Sequence, residues 1–168
     1  IPRSRTDIHS AIYTSSVLLS EYIRKRVSNE ESSVWIAQRN GRTKDGFDLT
    51  EQGLLKMLDM SGTGNFSKDF AELSIVPVSV SYEYEPCDIL KARELYISKR
   101  QKYIKSEGED LNSILTGIMQ FKGGIHFTFC QLLSDDEISA CSLMEKNERF
   151  KSLGEVMDRK ISSNFHLW

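Results

Sequence analysis

The sequence predicts an α/β domain, a mainly parallel sheet flanked by helices, in a single unit spanning residues 1–168. Three observations predict it. Segments such as 7–27 and 146–165 carry apolar residues at spacings of three and four, the period of a helix packed on one face. Segments 73–84 and 123–133 are rich in β-branched and aromatic residues, which suit a pleated surface. The two kinds of segment alternate, and alternation implies βαβ units and therefore parallel strands.

Each element has its own justification. In 7–27 the stripe is Ile8, Ile12, Leu19, Tyr22, Ile23 and Val27, with Thr6 or Asp7 as cap. Arg24, Lys25 and Arg26 fall in its last turn, where they suit the helix dipole. Val34 to Ala37 are continuously apolar, as in a strand buried on both faces. Residues 50–60 predict a helix capped by Thr50, with Leu54, Leu55 and Leu58 inward. The stretch "SGTGNF", 61–66, predicts a loop. "LSIVPVSVSYEY", 73–84, is the strongest strand signal. Asp88 then caps a helix carrying Ile89, Leu90, Leu95 and Tyr96. A second helix carries Leu111, Ile114, Leu115 and Ile118. "GGIHFTFCQLL", 123–133, predicts a strand after a glycine turn. The tail, about 134–168, is predicted helical, with Phe150, Leu153, Val156, Met157 and Ile161 as its stripe.

Composition bounds the function. At 168 residues, 39% hydrophobic and 27% charged, the chain can bury a sizeable core. Its net charge of −2 gives no global field for nucleic acid, so none is expected as a partner, and any anion site must come from local clustering. Cys87, Cys130 and Cys141 lack CxxC spacing, which argues against a disulfide framework or a zinc site and suits a reducing compartment. No apolar run approaches the roughly 20 residues of a membrane span, and no signal-peptide pattern is visible. The chain opens on Ile1-Pro2-Arg3, which reads as a strand end within a longer protein.

The densest chemistry is in "VWIAQRNGRTKDG", 34–46, an apolar run that ends in Arg39, Arg42, Lys44 and two glycines. In a parallel sheet, ligands bind beyond the carboxyl ends of the strands. There Gly41 and Gly46 admit a close ligand, Arg42 offers a planar fork to a phosphate, and Lys44 adds a point charge. The ordinary alternative is a solvated basic loop. Arg3 also follows a strand end and can face the same crevice, or it can be a frayed terminus. "SGTGNFS" can cradle a phosphate through its amides, or simply connect. No two of His9, His126 and His166 have metal-ligand spacing, and no metal site is expected. His9 and Asp7, two apart on a helix, do not face each other. His126 is expected to be half-buried packing, and Cys87 structural rather than nucleophilic.

Three stretches in order resemble the glycerophospholipid acyltransferases, the family of glycerol-3-phosphate and 1-acylglycerol-3-phosphate acyltransferases. "IPR" resembles the end of that family's second block, with Arg3 as its arginine. "VWIAQRNGRTK" resembles the third, with Asn40-Gly41 where Glu-Gly is usual and Arg42 beside it. "LSIVPVSVSYEY" resembles the fourth, with Pro77 as its proline, and "KGGIHFTFCQLL" the strand that follows. The resemblance implies acyl transfer from a coenzyme A or acyl carrier protein thioester to the hydroxyl of a glycerol-phosphate or lyso-lipid acceptor. It implies no further cofactor, and it implies that Arg3, Arg42 and Lys44 hold the acceptor phosphate.

Two departures qualify what is carried over. The family's first block, His-x4-Asp, supplies the general base and its orienting aspartate. Here Thr14 stands five residues after His9, and Gln131 five after His126. The expectation is that this block lies upstream of Ile1 and that the 168 residues alone are inactive. Asn40 keeps the hydrogen-bonding shape of a glutamate without its charge, which leaves open a different lyso-lipid acceptor, or a non-catalytic phosphate- or lipid-binding module. A cytoplasmic protein, peripheral on the inner face of a membrane, is expected. Phe165, Leu167 and Trp168 can touch that surface, or the tail helix can pack on the domain. An open sheet edge would favour self-association.

Overall fold

The computed structural model describes residues 5–29, 32–39 and 49–168. Among these residues the chain forms seven helices and two strands. In order they are α1 (Arg5–Ser28), α2 (Gln52–Asp59), α3 (Phe66–Ala71), β1 (Val78–Tyr82), α4 (Asp88–Ser98), α5 (Glu109–Met119), β2 (Ile125–Phe129), α6 (Asp135–Ser142) and α7 (Glu148–Ser163). β1 and β2 pair with each other, antiparallel, and make a two-stranded sheet.

This corrects the predicted fold class. The protein is mostly helical, and its described strands form no parallel sheet. The reason lies in the connection. α4 and α5 leave β1 and return to the end they left, where the Glu83 N–H donates to the Gly124 carbonyl (2.9 Å) and the Tyr84 N–H to that of Lys122 (3.0 Å). Two helices out and back reverse the chain, whereas a single crossover would have kept its direction. Residues 34–37 are also corrected. They form no strand, and Trp35, Ile36 and Ala37 are exposed. A short apolar run carries no information on whether a ladder partner exists.

The core is helical. Leu55 and Leu58 of α2, Phe66 and Phe70 of α3, Ile138 and Cys141 of α6, and Phe150, Leu153, Val156 and Met157 of α7 form one buried cluster. The rings of Phe66, Phe70 and Phe150 meet edge-on or tilted, with centroids 4.6–6.3 Å apart. The tail helix thus packs on the domain. The Thr50 segment lies beside Gly154 of α7, where an added Cβ would meet Thr50 at ordinary contact distance. α6 starts in a capping box, with Ser134 and Glu137 satisfying each other's backbone N–H groups.

Among its described side chains, from His9 onward, α1 joins this core through its C-terminal half. Ile23 is buried, but Ile12, Leu19 and Tyr22 of the expected stripe are exposed. The junction is polar. The buried Ser20 hydroxyl bonds to the Leu58 carbonyl (3.0 Å) and lies 2.7 Å from Ser61 Oγ. Arg24 does not serve its own helix end. Its guanidinium donates to the carbonyls of Leu58 and Asp69 and pairs with Glu72, so it closes the ends of α2 and α3.

Two caps shift by one residue. Thr50 precedes the N-cap of α2, which is Glu51. Asp88 is the first residue of α4 rather than its cap, which is Cys87. α3 was not foreseen; it is six residues long and capped by the Asn65 side chain.

Candidate functional site

The place where segment 32–39, the sheet and the start of α2 meet is the candidate site. Pro77 is buried immediately before β1. Its carbonyl accepts from the Cys130 N–H (2.9 Å), and that of Ile75 accepts from Leu133 (3.0 Å), so the β1–β2 ribbon continues past its regular residues. Proline has no N–H to return to Cys130, and the regular pairing starts one residue later, at Val78.

The two faces of the ribbon differ in kind. Val78, Val80 and Tyr82 stand opposite Phe129, Phe127 and Ile125, an apolar face on which the Phe and Ile side chains are exposed. Trp35 comes onto this face, its ring stacked with that of Phe127 at 6.1 Å. On the other face Ser79 and Ser81 stand opposite Thr128 and His126. Both serines are buried, because α7 and the C-terminal tail cover them.

The tail crosses the polar face in detail. The His166 backbone N–H donates to Ser81 Oγ (3.3 Å). The His126 and His166 rings lie 5.0 Å apart. Trp168 sits over Gly124, where a Cβ would collide with the indole. Thr128 Oγ1 lies 2.8 Å from His126 Nε2. These contacts pack and bond, but they pair no serine hydroxyl with a histidine ring, so they do not make a nucleophile and base. Cys87, Cys130 and Cys141 are buried thiols, and the Cys87 thiol donates to the Ser113 carbonyl.

The predicted anion site is only partly in view. Arg3, Asn40, Gly41, Arg42 and Lys44 lie outside the described residues. The residues on either side of 40–48 are held together. The Glu51 N–H donates to the Gln38 carbonyl (3.0 Å). Thr50 donates from its N–H (2.9 Å) and its hydroxyl (2.6 Å) to one oxygen of Asp158 on α7. Both ends of the basic segment are therefore fixed to the helical core.

The loop 61–66 is not an open cradle. The N–H and hydroxyl of Thr63 and the N–H of Gly64 all donate to the buried Asp69 carboxylate, at 2.8–3.0 Å. Gly62 packs against that carboxylate, and Gly64 takes φ +89, which glycine permits. The protein's own carboxylate occupies the nest that a phosphate would use. Burial alone would raise the Asp69 pKa. The bonds from Thr63 and Gly64 and the Arg24 charge more than offset it, so the carboxyl is held below the usual aspartate range. Asp59, pushed up by burial and by the Asp69 charge, carries the opposite shift.

Among the described residues no group of three His, Cys, Asp or Glu side chains could hold a metal ion, and no helix is long and apolar enough to cross a membrane. No protein-family model, curated protein or solved structure matches the chain.

Proposed function

We propose that the chain supplies the acceptor-binding part of a glycerophospholipid acyltransferase. One observation carries the reading. The Trp35 ring stacks on Phe127, so the segment leading to Asn40-Gly41-Arg42 lies against the ribbon that carries Pro77. The stretches that resemble the third and fourth blocks, and the strand after them, are far apart in sequence and meet through Trp35, β1 and β2.

In this reading Arg42, Lys44 and Arg3 hold the acceptor phosphate through charge-assisted, forked hydrogen bonds. The bonds Gln38–Glu51 and Thr50–Asp158 fix where the chain leaves and rejoins the helical core on either side of Arg42 and Lys44. The acceptor hydroxyl oxygen bonds to the acyl carbon of a coenzyme A or acyl carrier protein thioester. The carbon–sulfur bond breaks, and the thiol leaves with the proton that the family's His-x4-Asp block first takes from the hydroxyl. Asn40 in place of Glu favours a second acceptor class, another lyso-lipid, within the same chemistry. A non-catalytic phosphate- or lipid-binding module is the reading from another class, favoured by the lack of His-x4-Asp in the 168 residues.

Arg42→Ala in the whole protein tests the assignment. The expected result is a higher acceptor KM and a kcat/KM lower by about 10²-fold, the loss of one charge-assisted contact, with the thioester KM unchanged. An unchanged acceptor KM and kcat/KM would remove the phosphate role. Phosphate binding without acyl transfer in the whole protein would select the binding module.

A further inference from the structure

The excursion between β1 and β2 is built unlike the rest of the molecule. α5 carries Leu111, Ile114, Leu115 and Ile118 on one stripe, continued by Met119 and Phe121. All six are exposed, Ile118 at 68% and Phe121 at 77%. No residue of α4 or α5 is buried. The excursion is nonetheless tied down. The Cys87 thiol donates to the Ser113 carbonyl, Tyr103 to Glu109 (2.7 Å), and the Tyr84 and Phe121 rings lie 5.7 Å apart.

The charge beside this stripe is equally distinct. Between Lys91 and Lys105 stand six cations and one acid, Glu94. Lys91 pairs with Glu85 (3.1 Å) and Lys105 with Asp110, so the exposed basic group is Arg93, Lys99, Arg100 and Lys102. The two acids that open α5 are engaged, Glu109 by Tyr103 and Ser106 and Asp110 by Lys105 (2.6 Å).

We infer that the α4–α5 excursion is a membrane-contacting arm, with the α5 stripe lying in the headgroup boundary of an anionic lipid surface and the 91–105 cations against its phosphates. Eleven residues make a helix roughly 16 Å long, too short to span a bilayer and suited to lie along it. An apolar stripe flanked by cations is what such a surface selects. A second copy of the chain is a poorer occupant, because it brings the same exposed cations, Arg93, Lys99, Arg100 and Lys102, to the contact. The inference stands apart from the acyltransferase reading, since it uses none of Arg3, Arg42 or Lys44.

The test is co-sedimentation of the 168-residue chain with vesicles of phosphatidylcholine alone and of phosphatidylcholine mixed with phosphatidylserine. Binding to the mixed vesicles is expected, with at least about tenfold weakening when salt is raised to about 0.5 M. The triple change Lys99→Glu, Arg100→Glu, Lys102→Glu should weaken it by at least roughly a hundredfold. Ile114→Glu with Ile118→Glu should abolish it while circular dichroism stays that of the parent chain. No sedimentation, equal binding to both vesicle types, or binding that either set of changes leaves intact would overturn the inference. So would apolar-face variants whose only effect is to turn a dimer into a monomer. Failure of the Arg42 test would leave this result standing, and the converse holds.

Discussion

α7 and α5 are written in the same pattern and lead opposite lives. Phe150, Leu153, Val156 and Met157 of α7 recur at helical spacing and are all buried. Leu111, Ile114, Leu115 and Ile118 of α5 recur just as regularly and are all exposed. What separates them is supply. α7 meets the inner faces of α2, α3 and α6, which offer Leu55, Phe66 and Ile138. α5 is offered no such face among the described residues: its ties are Cys87 to Ser113, Tyr103 to Glu109 and the Tyr84 ring beside Phe121. Periodicity therefore specifies that a face is apolar, while topology decides what covers it.

The largest effect expected from that contrast is in the core. Leu153 is 0% exposed, so Leu153→Ala removes buried methyl groups and leaves a cavity between α7 and α2, at a cost of about 2–5 kcal/mol. Urea unfolding monitored by far-ultraviolet circular dichroism gives the value. A loss below about 1 kcal/mol would mean that the helical unit is no better packed than the arm.

Asp69 sharpens the comparison because it belongs wholly to the packed region. Asp69→Asn keeps the shape but removes the charge that Thr63, Gly64 and Arg24 address, and should cost about 2–3 kcal/mol near neutral pH. Its folded pKa is lowered, so the unfolded state takes up the proton first as acid is added. The stabilisation is complete above the unfolded value, near 3.9, and disappears as pH falls through the folded one. The gap between parent and variant unfolding free energies should therefore close in acid. A gap that stays constant with pH would place the Asp69 effect in packing rather than in charge.

Much of the helical unit was legible from residues alone. Leu55, Leu58, Phe150, Leu153, Val156 and Met157 were all expected inward, and all are buried. α3 was missed because six residues show barely two turns of periodicity, although the Asn65 cap was there to be read. The sheet misled for a different reason. Segments 73–84 and 123–133 do extend, and their hydrogen bonds run from Ile75 to Tyr84, but the direction of pairing depends on how two intervening helices turn, which no strand sequence encodes. Nor does a strand signal say which face is covered: the structure turns Ser79 and Ser81 inward, with the tail over Ser81. Of the candidate site, Pro77 is buried just before β1, and the five other residues fall outside the described part of the chain. The fixed ends of that segment, Thr50 on Asp158 above all, had no signal in the sequence, because the partners stand 108 positions apart.

The smallest expected effect is the most pointed one. Ile118→Ala changes the same kind of residue, on the same kind of stripe, as Leu153→Ala. Ile118 loses little contact, because its side chain already faces solvent, and alanine is the better helix former. The unfolding free energy should move by no more than about 0.5 kcal/mol, in either direction, as read from the same urea titration. If Ile118→Ala instead cost as much as Leu153→Ala, the α5 stripe would have to be buried in solution, by a second copy or by a neighbouring segment. The contrast between the two helices would then be one of partners rather than of packing. A near-zero value leaves the stripe free for a surface that the protein itself does not provide.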